Sequence, residues 1–514
     1  MSTTDLAGSS ICNLAELMRA RMLVQDRVVI RNDDGRILSC RDLWDAAGRL
    51  AHALAAEGVC TGDRVAAQIE KSPEAIALFL ACLRLGAAYL PLNTAYTLAE
   101  LDYFIGDASP RVVVASPERL SSLADLAGDH GVTATLSLGV AGDGLLMERA
   151  CEHSSDFDGV PTSWDDLAAI LYTSGTTGRS KGAMITHGNL ASNALALIET
   201  WRFGPDDVLI HALPIYHTHG LFTATNTVLL SGGSMLFEQR FEPERVLRLL
   251  PQATAMMGVP TFYTRLLQHA GLTRQATAHV RVFISGSAPL LAETHRAFQE
   301  RTGHAILERY GMTETNMNTS NPYAGERIAG TVGFPLPGVE LRISDPESGV
   351  VLAPAEVGVI EVRGPNVFKG YWRMPEKTEA EFRGDGFFIT GDLGRIDVRG
   401  YLSIVGRAKD LIITGGFNVY PKEVEAEIDE LDGVIESAVI GLPHPDFGEA
   451  VTAVVVRADA QFDEAVVLER LAGRLARFKL PKRVLFVTEL PRNAMGKVQK
   501  NVLRDTHRGL FAPA

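Results

Sequence analysis

Two hydrophobic periods alternate along the first 150 residues, and few folds accept that alternation. Asp42 to Ala56 has a helical repeat, with Leu43, Ala46, Ala47, Leu50 and Leu54 on one side. Asp63 to Ile69 reads as a strand, Glu74 to Leu85 as a helix and Arg111 to Ala115 as a strand. The cycle continues through strands at Val208–Ala212, Ser234–Phe237, Ala255–Gly258 and Val282–Ser285. Helices and strands in turn predict an α/β fold, a large N-terminal domain of mainly parallel sheets layered with helices. After about residue 330 come short strands with Gly, Pro and Asp turns (Val339–Ile343, Gly358–Val362, Gly386–Thr390, Tyr401–Val405), the pattern of a small β-subdomain. The charged stretch Gly406–Asp410 then leads into a compact α+β unit, with helices Pro421–Asp432 and Val466–Leu475 and strands Ile435–Gly441 and Ala450–Arg457. The expected division is residues 1–408, including a β-subdomain over about 330–408, and a mobile domain over 409–514.

Charge and cysteine usage exclude several classes of function. A net charge of −13 over 514 residues argues against a nucleic-acid binder. The most apolar run, Ala75 to Leu92, is broken by Arg84, Gly86 and Pro91, so it reads as a core helix leading into a strand and no membrane association is expected. No early Lys or Arg precedes an apolar stretch, so no secretory signal is expected. The five cysteines include no C-x-x-C pair, which argues against zinc or a disulfide framework and fits a reducing cytoplasm.

The most informative local segment is Tyr172-Thr173-Ser174-Gly175-Thr176-Thr177-Gly178-Arg179-Ser180-Lys181-Gly182. The apolar run Ala168–Tyr172 predicts a buried strand before it, and a helical pattern runs from about His187 to Leu197 after it. The expectation is a loop joining strand to helix, with hydroxyls, backbone N–H groups and the Lys181 charge available to phosphate oxygens. It is not a Walker A loop, because Ser180 stands where that motif needs its second Gly.

Further segments carry concentrated polar chemistry. Glu308-Arg309-Tyr310-Gly311-Met312-Thr313-Glu314 ends a strand in an aromatic, a hydroxyl and a carboxylate. Asp392 comes just after the strand Phe387–Ile389, Arg407 precedes the charged junction, and Lys497 comes after the turn Pro491–Gly496. With Thr173–Gly182, these segments resemble the adenylate-forming superfamily of acyl-CoA synthetases, luciferases and adenylation domains, in the family's order and over nearly the whole chain. Met256–Tyr263, Glu308–Ser320 and Pro491–Lys497 resemble the malonyl-CoA synthetases within it.

That resemblance implies an ATP-dependent ligase. A carboxylate attacks the α-phosphate of ATP, pyrophosphate leaves, and the thiol of coenzyme A, a substrate, then displaces AMP. The first step brings two anions together, so cationic groups and Mg²⁺ are needed. The resemblance implies that Thr173, Ser174, Gly175, Thr176, Thr177, Gly178 and Lys181 cradle the outer phosphates. It places Gly286, Ser287, Ala288 and Pro289 along the adenine, Tyr310 stacked on it, and Glu308 and Gly311 in the same nucleotide site. Thr313 is expected at the α-phosphate, Glu314 on Mg²⁺, Asp392 on the ribose hydroxyls and Arg407 in support of Asp392. Lys497 is expected to bridge carboxylate and α-phosphate, with His217 beside the thiol tunnel. Lys409 matches the hinge about which the C-terminal domain rotates between half-reactions, bringing Gly415 and Gly416 to the thiol channel. The exposed turn around Lys497 also marks it as a site for a lysine acetyltransferase.

Malonate carries a second carboxylate that needs a cation in the acyl pocket. Arg240, Arg265 and Arg281 are the candidates, Arg240 first because Gln239-Arg240-Phe241 comes after a strand and resembles a basic-aromatic pair of the malonyl subgroup. Met312 and Thr218 are expected to limit substitution at the α-carbon, as in methylmalonate. The competing readings are a medium-chain or aryl-acid CoA ligase with an apolar pocket, an amino-acid adenylation module, a luciferase and a non-catalytic nucleotide sensor. A sensor is expected to lack Lys497 or Glu314, and both are present.

Overall fold

The computed structural model describes residues 12–173, 180–415, 417–458, 462–493 and 496–511. Its fold is α/β, with a large N-terminal domain of mainly parallel sheets and a small C-terminal domain. A nine-stranded sheet has at its centre the parallel strands Val28–Asn32, Ser234–Phe237, Val208–His211, Ala255–Gly258, Val282–Ser285 and Leu307–Met312. A six-stranded sheet runs in the order Ala134–Ser137, Val112–Ala115, Arg64–Gln68, Ala88–Pro91, Leu167–Thr173, Lys181–Thr186. These central strands are buried on both faces, as parallel sheets covered by helices require.

The run Ala75–Leu92 divides as its breakers predict. Helix Pro73–Arg84 starts on Ser72, whose side chain accepts from Ala75 N, and it packs on helix Cys40–Ala56. Gly86, at φ +65°, turns the chain into strand Ala88–Pro91. Among the described residues no helix is long and apolar enough to cross a membrane.

One expectation fails locally. The segment after Tyr172 does not pass from strand to helix. Thr173 pairs with Lys181 in an antiparallel hairpin, and helix His187–Trp201 begins only after the second strand, Lys181–Thr186. Within that strand Ala183 and Ile185 are buried in the core, and a Cβ on Gly182 would stand 3.0 Å from Ile170, so the glycine admits close strand pairing. Thr186 then starts the helix with a capping box, its hydroxyl accepting from Asn189 N and Asn189 answering Thr186 N.

Beyond the parallel sheets comes a four-stranded antiparallel sheet (Glu340–Ser344, Gly358–Arg363, Phe388–Ile396, Leu402–Arg407), in a register that places Asp392 opposite Arg407. The C-terminal sheet joins Phe417–Val419, Ile412–Thr414, Gly448–Arg457, Val434–His444 and Arg483–Val487 around its own apolar core, which includes Val424, Ile428, Val439 and Val455. A buried lysine adds a polar tie between the two large sheets. Lys71 is buried, and its Nζ donates to the carbonyls of His211 and Glu238, each at 2.7 Å, and to His211 Nδ1 at 2.9 Å. It also lies 4.2 Å from the ring centroid of Phe237.

His187 gives the N-terminal core a pH dependence. It is fully buried, its Nδ1 accepts from Leu14 N, and burial lowers its pKa to about 4. Between about 6.5 and 4 the unfolded chain takes up a proton that the folded chain refuses, so stability is present above that window and falls as the pH drops through it. The loss is on the order of 3 kcal/mol for this residue. Urea midpoints of wild type and His187→Gln measured from pH 7 to 4 should show a shallower decline in the variant; parallel declines would contradict it.

Candidate active site

The site collects where the Leu167–Thr173 hairpin, the end of strand Leu307–Met312 and the antiparallel sheet meet. Thr173 Oγ1 is 3.4 Å from Glu314 Oε1. The hydroxyl of Tyr371 lies between two carboxylates, 3.1 Å from Glu314 Oε1 and 2.6 Å from Glu381 Oε2. Lys181 Nζ donates to Glu381 Oε1 at 3.0 Å and sits 4.1 Å from the Tyr371 ring centroid. Ser174, Gly175, Thr176, Thr177 and Gly178 lie outside the described residues, as does Gly416.

Glu314 is buried, and burial pushes its carboxyl above the ordinary range. Among the described residues no group of three or more His, Cys, Asp or Glu forms a metal cluster. One buried carboxylate beside the Thr173–Lys181 hairpin still fits Mg²⁺, which is usually held by one or two carboxylates together with nucleotide phosphates and water. Burial raises the Glu381 carboxyl too, but bonds from Lys377, Tyr371 and Lys181 outweigh it and hold the group below its ordinary value.

A second cluster fits a ribose. Asp392 Oδ1 accepts from Arg407 Nε at 2.6 Å and Oδ2 from the Tyr310 hydroxyl at 2.6 Å. The sheet register sets the first contact and the C-terminal end of strand Leu307–Met312 the second. Glu308, expected in the nucleotide site, is engaged elsewhere. Its carboxylate is 3.4 Å from His295 Nδ1 and accepts from Gly330 N at 3.3 Å. Thr313 and Gly311 are half-buried at the strand end.

Lys497 stands on the exposed rim, in a turn closed by Gly496 N to Asn493 O at 2.8 Å and Asn493 N to Lys497 O at 2.9 Å. A Cβ on Gly496, at φ +73°, would lie 3.7 Å from Thr261, so the turn rests on the N-terminal domain. Surrounding protein lowers the Lys497 ammonium from its ordinary range, Arg407 and Lys409 add to that, and Asp392 and Asp410 oppose it. Lys409 lies in the short 3₁₀ turn Ala408–Asp410, where Asp410 pairs with Arg504. Gly415 adopts φ +56° beside the strand pair Ile412–Thr414 and Phe417–Val419.

The arginines do not fall as expected. Arg240 is on the surface, its side chain 81% exposed and paired with Glu242 at 2.7 Å. Its neighbour Phe241 turns inward and stacks on Phe262 with centroids 3.9 Å apart, which directs Arg240 outward. Arg265 is exposed, and Arg281 is held by Asp207 at 2.7 and 2.8 Å and by the Trp201 carbonyl.

A buried cation that none of these expectations named is Arg309. It is 4% exposed, and its Nε and Nη2 are buried without a hydrogen-bond partner. Burial lowers its pKa to about 9. Gly286, expected along the adenine, makes room for it, since a Cβ there would lie 2.3 to 2.5 Å from the guanidinium. Ser287, at φ +70°, places Oγ 3.1 Å from His219 Nδ1. His217 accepts from His219 N at 3.3 Å through Nδ1, so Nε2 carries the proton of the neutral ring. Burial, then the Arg309 and Lys497 charges, lower its pKa to about 4. His217 is therefore neutral near pH 7, and charge in this pocket comes from Arg309 and Lys497. Thr218 is buried with its hydroxyl unpartnered, and Met312 is half-buried at the strand end. The signal for Arg309 in the sequence is an arginine inside the strand pattern Ile306–Met312, where a buried charge needs a partner.

Residues 18–372 match the AMP-binding enzyme family and residues 423–497 the AMP-binding enzyme C-terminal domain. The chain is 60% identical to ATP-bound MatB from Rhodopseudomonas palustris, with a TM-score of 0.96 over 97% of this chain and 99% of that one. It is 36% identical to a feruloyl-CoA synthase of an Amycolatopsis species over 95% of this chain and 97% of that protein. To a malonate–CoA ligase of Arabidopsis thaliana it is 35% identical over 87% and 78% respectively. A hairpin that presents Thr173 and Lys181, a carboxylate suited to Mg²⁺ at Glu314 and an Asp392–Arg407 pair are the parts an adenylating site needs, and the chain belongs to the AMP-binding enzyme family as an AMP-forming acyl-CoA synthetase resembling the malonyl-CoA synthetases.

Proposed function

We propose that this synthetase activates malonate, converting malonate, ATP and coenzyme A to malonyl-CoA, AMP and pyrophosphate through a malonyl-adenylate. The observation that carries the reading is the Arg309 guanidinium, buried with Nε and Nη2 unpartnered beside His217 and Gly286. An unpaired buried charge destabilises a fold by several kcal/mol, and the distal carboxylate of a dicarboxylate relieves it. The likeness to malonate–CoA ligases supports the same substrate. A monocarboxylate, including the aryl acid suggested by the feruloyl-CoA synthase relative, leaves Arg309 unanswered.

The residues then divide the work. Arg309 holds the distal carboxylate and so aims the other at the α-phosphate. Lys181 and Thr173 hold the outer phosphates, and Asp392 with Arg407 fixes the ribose. Mg²⁺, when bound at Glu314, offsets phosphate charge. Lys497 bridges the attacking oxygen and the α-phosphate, and neutral His217 lines the acyl site without adding a charge that would compete for the substrate. Rotation about Lys409 replaces Lys497 with the Gly415 loop for thiol attack. Acetylation of the exposed Lys497 by a lysine acetyltransferase would remove the charge needed in the first step.

Two measurements test this. A panel of malonate, methylmalonate, propionate and ferulate with ATP and CoA, read as AMP release, should give the highest kcat/KM for malonate. Arg309→Met should raise the malonate KM by about 10²-fold or more while moving the ATP KM far less, the loss of a buried charge–carboxylate pair. A wild-type preference for ferulate or propionate would reject malonate as the substrate, and an unchanged malonate KM in the variant would reject Arg309 as the group that holds its distal carboxylate. For Lys497, Lys497→Ala should cut adenylation by on the order of 10²–10³ while leaving thioester formation from supplied malonyl-adenylate largely intact. Wild-type adenylation should fall as the pH rises through the lowered Lys497 pKa, since only the ammonium form bridges two anions. Equal loss in both half-reactions would contradict the two-orientation role.

A further inference from the structure

The phosphate-side lysine already has an anionic partner. Lys181 Nζ pairs with Glu381 Oε1, which belongs to the residue just past the short helix Pro375–Ala380. Among the described residues Lys181 has no other carboxylate within ion-pair distance, whereas Glu381 has two further donors: Lys377 Nζ at 2.8 Å and the Tyr371 hydroxyl at 2.6 Å. The asymmetry matters. When an incoming polyphosphate draws Lys181 away, Glu381 stays neutralised by Lys377 and hydrogen-bonded by Tyr371, so the exchange strands no half-buried carboxylate. Tyr371 also touches Glu314, so the carboxylate that competes for Lys181 and the one suited to Mg²⁺ share one hydroxyl.

We propose that Glu381 is a positioning residue, the resting partner of Lys181. It holds the ammonium in place before the nucleotide arrives, yields it to the outer phosphates, and recaptures it as pyrophosphate leaves. Lys377 sets how tightly Glu381 competes, because it shares the same carboxylate oxygen. The inference rests on the reading of Lys181 as a phosphate ligand.

Calorimetric titration of the full chain with Mg·ATP, without carboxylate or CoA, tests it. Glu381→Gln removes the competitor and should tighten binding about three- to fivefold, the range of a partly exposed ion pair. Lys377→Met leaves Glu381 to Lys181 and should weaken binding about two- to threefold. In the Glu381→Gln background the Lys377→Met effect should vanish, because Lys377 acts only through Glu381. A general field effect predicts instead that Lys377→Met weakens binding equally in both backgrounds, and that result overturns the proposal, as does Glu381→Gln leaving ATP binding unchanged or weaker. Glu381→Asp keeps the charge while shortening its reach, so it should also tighten binding; unchanged affinity would overturn the proposal without relying on the glutamine variant to fold. Absence of any Mg·ATP binding by wild type would sink the adenylating reading together with this one, whereas ATP binding without the predicted pattern sinks this one alone.

Discussion

A guanidinium held in the core with two nitrogens unpartnered is the constraint around which the proposed acyl site is built. Arg309 lies between the end of the parallel sheet and the loop after strand Val282–Ser285, and its two unpartnered nitrogens are costly to the fold. Nearby groups accommodate it without cancelling it. Gly286 withholds a Cβ, and the Tyr263 hydroxyl is spent on the Ile284 carbonyl. His217 and His219 are driven neutral by burial and by the Arg309 charge itself. Among the described residues such a surrounding leaves the Arg309 guanidinium without an anionic partner, and the carboxylate of the proposed malonate substrate would complement it.

On the side proposed for the nucleotide, several described charges do have partners. Asp392 holds Arg407 and Tyr310, Lys181 holds Glu381, and Glu314 touches Tyr371 and Thr173. Sheet geometry explains the convergence. Parallel strands deliver side chains from their C-terminal ends to one edge, where α/β proteins bind ligands, and Lys71 binds the strand ends of the second sheet to the first through the His211 and Glu238 carbonyls. His211 Nε2 in turn contacts the Gly220 carbonyl at 2.9 Å at the head of the π-helical turn His219–Thr225. The link between the sheets thus reaches the turn that carries His219, and π-helical turns of this kind recur at functional sites.

Much of this is legible in the chain because it depends on local period and on motif order. The buried strands Ala255–Gly258 and Val282–Ser285 appear at their predicted bounds, and helix His187–Trp201 begins where its pattern begins. The features that escape a sequence depend on which way a side chain turns or which strands pair. The hairpin Leu167–Thr173 with Lys181–Thr186 is hidden because Ser/Thr/Gly composition marks a loop without specifying whether a strand or a helix lies beyond it. Arg240 is misplaced because a basic-aromatic pair does not reveal which member faces inward; stacking of Phe241 on Phe262 decides that. Motif order assigns Glu308 and Gly286 to the nucleotide, and it does not disclose that the Glu308 carboxylate reaches His295 or that Gly286 leaves room for Arg309. Arg309 stands in the same motif as Glu308 and Tyr310, and its meaning depends on burial that only packing supplies.

The most direct test of the Arg309 account is a binding cycle with two non-reactive acyl-sulfamoyl adenosines, one carrying malonyl and the other the similarly shaped but uncharged isovaleryl group. Both are titrated into wild type and Arg309→Met. The account predicts that wild type prefers the malonyl compound by about 10²-fold or more and that the preference vanishes or reverses in the variant, a coupling of about 3 kcal/mol between the distal carboxylate and the guanidinium. A malonyl preference of the same size in both proteins would show that Arg309 does not meet that carboxylate, and it would contradict the account.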